Sequence, residues 1–146
     1  MRIEKNYVFT GFGFNVVIPQ VIINSIAGEE YPDLDMNALK ITTAKNLLLS
    51  KSRISGAQLS FLRTLMRLSL VNLSEMIDVP PSTISLWEKN SEKITGLTVS
   101  QERLLRLQAI EYILDSERDS FNKEIVKAED YLTENIGHVE LKASSF

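Results

Sequence analysis

Hydrophobic positions along the chain change period near residue 35, from short β-branched and aromatic runs to spacings of three and four. Tyr7-Val8-Phe9-Thr10 is strand-prone, Gly11 and Gly13 punctuate it, and Phe14 to Ile18 resumes the run. Pro19 interrupts, and Val21 to Ile26 makes a further strand candidate ending near Gly28. The pattern over 1–32 predicts a small antiparallel sheet of two or three strands. Glu29, Glu30 and Asp33 then read as a solvated loop rather than a cation or acid–base site, with Asp35 placed to cap a helix. Met36, Leu39, Ala44, Leu47 and Leu48 fit one face of that helix. Ser50-Lys51-Ser52-Arg53 follows as a polar, basic connector.

The stretch from Ser55 to Asn90 predicts three short helices joined by sharp turns. Ser55 and Gln58 have capping-box spacing, and Ile54 with Leu59 is placed as a hydrophobic staple. Leu59, Leu62, Leu65 and Met66 then share a face. Ser69 can cap a second helix whose apolar face is Leu73, Met76 and Ile77. Asp78 stands where the turn needs a residue tolerant of a left-handed conformation, and Pro81 suits the first position of a third helix. In that helix Ile84 and Trp87 point inward, while Ser82, Thr83, Ser85, Leu86 and Lys89 point away. Beyond it, Ser100 is read as the cap of a helix with Leu104, Leu107, Ile110, Ile113 and Leu114 on its apolar face. A last helix is expected over about 118–135, with a frayed tail after it.

Composition adds exclusions more than assignments. With 146 residues, 44% hydrophobic and 24% charged, the chain is ordinary for a globular protein. It has no cysteine, which removes disulfides, thiolate zinc sites and Cys nucleophiles. No apolar run is long enough to cross a membrane and no secretory pattern opens the chain, so the expected place is the cytoplasm. Gly11-Phe12-Gly13 lacks the third glycine and following helix of a nucleotide loop. The single histidine, His138, has no orienting partner in sequence, so no catalytic constellation, cofactor or metal is expected.

Charge does change the picture. The net value is −3, yet residues 49–106 hold eight Lys/Arg against five Asp/Glu, and the acidic excess falls after 107. A basic segment around a helix with a small hydroxyl-rich outer face fits the major groove of double-stranded DNA. Pro81, Ser82, Thr83, Ser85 and Leu86 are the candidates for base edges; Lys89, Lys93, Lys51 and Arg53 are the candidates for phosphates.

The stretch FLRTLMRLSLVNLSEMIDVPPSTISLWEKN, residues 61–90, resembles the Cro/cI-type (XRE) helix-turn-helix superfamily. The resemblance implies a λ-repressor-like helix-turn-helix bundle, here mainly α with a small N-terminal antiparallel β module. It also implies a structural salt bridge between Arg63 and Glu88. The chain departs from the pattern at Leu70, Ser74 and Asp78, where Gln, Ala and Gly are usual, and it sets no Arg, Gln or Asn at the base-reading positions. Gly13 to Ile18, followed by the run Ile54 to Arg63, is similar to the MqsA/YgiT-type antitoxin family, over roughly 7–110. Typical members carry two CxxC zinc pairs, absent here. That similarity implies an antitoxin that represses its own operon, binding a palindromic operator as a homodimer and a cognate toxin as partner. The alternatives are a phage or mobile-element regulator without a toxin, and a protein-interaction module whose helix-turn-helix has left DNA. The expected division is 1–48 as the β-rich module plus helix, 49–115 as the DNA-binding domain, and 116–146 as the C-terminal helix and tail. A chain beginning near Lys51 is expected to fold alone.

Overall fold

The computed structural model describes residues 1–129. Strands β1 (Arg2–Phe9), β2 (Val16–Ile26) and β3 (Glu29–Asp33) form one antiparallel sheet in that order. Pro19 does not split the second strand as expected: Val16–Ile26 is continuous. Pairing runs from Phe9↔Val16 to Tyr7↔Ile18, resumes at Lys5↔Gln20, and steps over Asn6, which is left-handed at φ 55°. β3 pairs only with Ile22 to Ile26, so at Pro19 the central strand has a neighbour on one side alone. A missing N–H is tolerated at such a place. The irregularity flips the alternation of both strands together, so Tyr7 and Phe9 share a face with Val16 and Ile18, and beyond it Val21 and Ile23 are buried.

Glu29–Asp33 forms β3 rather than the loop expected from its acidity. Ala27 and Gly28 make the connection, with φ of 53° and 83°. Two consecutive positive φ values give the turn whose twist matches a two-residue hairpin. Asp35 caps the next helix as expected, its Oδ1 accepting from the N–H of Asn37 and Ala38 at 3.1 and 3.2 Å.

Five helices follow: α1 (Met36–Leu49), α2 (Gly56–Leu65), α3 (Leu70–Ile77), α4 (Pro81–Lys89) and α5 (Val99–Glu129). The caps predicted for α2 and α3 are in place. Ser55 and Gln58 form the reciprocal box at α2, Ser69 Oγ accepts from Asn72 N–H, and Asp78 is left-handed at φ 56°. Ile54, Leu59, Leu62, Leu73, Ile77, Ile84 and Leu105 are wholly buried in one core. Each contributes roughly 2–3 kcal/mol by leaving water.

The C-terminal part differs from expectation in three ways. Thr98 and Gln101, not Ser100, form the capping box that starts α5. In place of two helices there is one through Glu129, with no Gly or Pro to break it; the rest of the helix expected over 118–135, and the tail, lie outside the described residues. The buried face is Glu102, Leu105, Ala109 and Ile113, whereas Leu104, Leu107, Ile110 and Leu114 are exposed.

The chain divides into a compact unit, 1–113, and a second beginning at Leu114. The boundary expected after residue 48 therefore lies inside α1 and inside the first unit. Ala44 and Leu47 join the same core as Leu62 and Leu73, and Arg106 of α5 donates to the carbonyls of Leu47, Leu48, Ser50 and Ser52 at 2.7–3.1 Å. A chain cut at Lys51 would lose part of that core and three of those four acceptors. Among the described residues no helix is long and apolar enough to cross a membrane.

Candidate nucleic-acid interface

The exposed side of α4 is held out by what lies beneath it. Ile84 is fully buried and Trp87 is half-buried against the core. Gly56 opens α2 against the end of α4 so closely that a Cβ there would sit 1.9 Å from the Trp87 carbonyl oxygen. Only glycine permits that approach. The segment after α4 is tied to the same place: Gly56 N–H donates to Lys93 O at 2.9 Å, Ala57 N–H to Ser91 O at 3.0 Å, and Thr95 N–H to Ile54 O at 3.0 Å. Gly96 lies under the Trp87 ring, leaving no room for a side chain.

Arg63 fastens α2 to α4. Its Nε and Nη2 donate to Glu88 Oε2 and Oε1 at 2.9 and 2.8 Å, and its Nη1 donates to Leu68 O at 3.0 Å. Hydrogen bonding to Glu88 raises the Arg63 pKa above its ordinary value despite the partial burial of the pair. A two-pronged guanidinium–carboxylate contact fixes angle as well as distance.

The surface so presented is Pro81, Ser82, Leu86 and Lys89, all exposed, with Thr83 and Ser85 half-buried beside them. Leu86 is 58% exposed. Pro80 and Pro81 remove two amide donors from the start of α4, so the backbone there offers fewer contacts to an anion than most helix N-termini. Besides the Ser82 N–H, polar contact from this end comes from the hydroxyls of Ser82, Thr83 and Ser85.

The four basic candidates separate. Lys51, Lys89 and Lys93 are exposed and form no ion pair among the described residues. Arg53, with 41% of its side chain exposed, is nonetheless engaged by the protein itself: its Nε donates to Glu102 and its Nη2 to the Leu97 carbonyl. Glu102, 4% exposed, also accepts from Ile54 N–H at 3.0 Å and Arg106 Nη2 at 3.1 Å. Burial pushes this carboxyl's pKa up, but the bonds from Arg53, Arg106 and Ile54 N–H outweigh it and leave it below the ordinary value. Sequence reasoning did not find this knot; its one local sign was the i,i+4 spacing of Glu102 and Arg106. A cleft of about 270 Å³ beside it is lined by Lys51, Arg53, Arg103 and Arg106, with Glu102 holding two of the four cations.

No three His, Cys, Asp or Glu side chains among the described residues could hold a metal ion, and His138 lies outside them. The chain matches no family model, no curated protein and no solved structure.

Proposed function

We propose that the chain is a sequence-specific DNA-binding repressor, with α3, the Asp78 turn and α4 as a helix-turn-helix and α4 as the element that enters the major groove. The observation that carries this reading is the pairing of an exposed, short-side-chained α4 face with the rigid mount of Arg63, Glu88 and Gly56 beneath it. A groove-reading helix needs both, because side chains too long would clash and a loose helix could not hold register. Ser82, Thr83 and Ser85 supply hydroxyls for base edges, Leu86 supplies apolar contact to a thymine methyl, and Lys89, Lys93 and Lys51 supply phosphate contacts. The antitoxin role, autoregulating an operon shared with a toxin, rests on the family resemblance alone.

The test is a gel shift and footprint on the chain's own promoter. Protection of a two-fold site with half-sites about one helical turn apart is expected. Ser82→Ala, Ser85→Ala and Leu86→Ala should each change preference at particular positions, whereas Lys89→Ala and Lys93→Ala should weaken all fragments alike. Uniform loss from all five changes would remove α4 as the reading element. A second reading, in which this face docks a protein, draws support from exposed Leu86 and Val71. Retained partner binding with no promoter protection would favour it.

A further inference from the structure

Register and burial give the sheet two unlike faces. Val21 and Ile23, both buried, lie on the inner one. The outer one carries Ile3, Val8, Val17, Ile22, Ile26 and Tyr31, all between 41% and 65% exposed. Cross-strand pairs put these on a common side: Ile3↔Ile22, Val8↔Val17, and Asn24↔Tyr31 between Ile22 and Ile26. Together they expose on the order of 500 Å² of apolar surface, near the top of the range for a monomer's largest patch. The charges at the rim of this face are segregated. Lys5 stands on β1, while Glu29 and Asp33 stand on β3, paired with Ile26 and Ile22. None of the three forms an ion pair among the described residues.

We propose that this face is the contact between two copies of the chain, stacked sheet on sheet about a two-fold axis parallel to the strands. Such an axis sets β1 of one copy over β3 of the second without shifting either along the strands. Lys5, level with Gln20, therefore comes beside the second copy's Asp33, level with Ile22, once from each copy, while the apolar centres close on each other. An axis running across the strands would set acidic edge on acidic edge. A second copy is favoured over a different protein because one face carries both halves of its own charge complement. Two such faces bury about 1,000 Å² of apolar surface plus a polar rim, which reaches the size of a standard stable interface. The proposal stands on the sheet and does not depend on α4 meeting DNA.

Sedimentation velocity of the full chain over a concentration series tests it. The wild-type chain is expected to be a dimer. Val17→Lys and Ile22→Lys, both at exposed positions, should raise the dissociation constant roughly 100-fold or more while the circular dichroism stays unchanged. Lys5→Glu should weaken the dimer about 10-fold, and adding Asp33→Lys to it should restore wild-type affinity. The proposal is overturned by a dimer that none of these variants shifts, or by a double variant no tighter than Lys5→Glu alone. A wild-type chain that is monomeric by itself and gains mass only with a different protein also overturns it and assigns the face to that partner.

Discussion

Single residues decide whether α4 can stand where it does. At Gly56 there is no slack, because the obstacle to a Cβ is the Trp87 carbonyl rather than a flexible side chain. Gly56→Ala should therefore cost about 3 kcal/mol, at the upper end for overpacking, read as a lower urea midpoint with an unchanged m-value. A loss under about 1 kcal/mol would mean that α2 and α4 separate easily. Arg63 and Glu88 present a different case, since both are mostly but not fully covered, with side chains 22% and 12% exposed. Arg63→Ala strands a carboxylate and the Leu68 carbonyl, and should cost about 2 kcal/mol, less than the loss from a fully buried pair. Replacing both partners, Arg63→Met with Glu88→Leu, should come within about 1 kcal/mol of wild type. A double variant as unstable as Arg63→Ala would show that the pair holds more than its own charges.

Elements were legible in proportion to how locally their causes are written. α2, α3 and α4 could be read because Ser55, Gln58, Ser69, Asp78 and Pro81 each act within a few residues of themselves. The sheet was only partly readable. β3 has the composition of a loop, and its strand state comes from Ala27 accepting a positive φ that no turn signature announces. α5 misled because it is apolar on two sides, and helical period alone does not choose between Leu104-Leu107-Leu114 and Leu105-Ala109-Ile113. What chooses is non-local: Arg53 and the Ile54 N–H draw Glu102 inward, and the helix turns with it. That knot has a pH signature. Because the folded pKa of Glu102 lies below its ordinary 4.5, its contribution to stability is complete above that value and is lost as pH falls from there to the folded pKa. Denaturant midpoints measured down through the acid range should fall more steeply for wild type than for Glu102→Gln, which should be less stable at neutral pH and flatter below 4.5. Parallel acid limbs would mean that Glu102 keeps an ordinary pKa when folded.

For the whole molecule, the relevant quantity is how much positive charge remains for a polyanion. The basic segment holds eight cations, but Arg53, Arg63 and Arg106 are engaged by Glu102 and Glu88. Of the phosphate candidates this leaves Lys51, Lys89 and Lys93, with Arg53 withdrawn. If α4 reads DNA in a two-fold complex, three contacts from each copy give six. The slope of log affinity against log salt should then be about −5, whereas adding Arg53 from both copies would give about −7. Lys89→Ala or Lys93→Ala, changed in both copies, should each flatten the slope by about 2 and weaken binding evenly across sequences. Arg53→Ala should leave the slope unchanged and lower the unfolding midpoint instead, because it strips a hydrogen bond from buried Glu102. Anisotropy titrations of a labelled promoter fragment at four or five salt concentrations, alongside urea melts of the same proteins, separate the two effects. A slope flattened by Arg53→Ala at unchanged stability would return that residue to the DNA surface, and the Glu102 contact would then be one the protein gives up on binding.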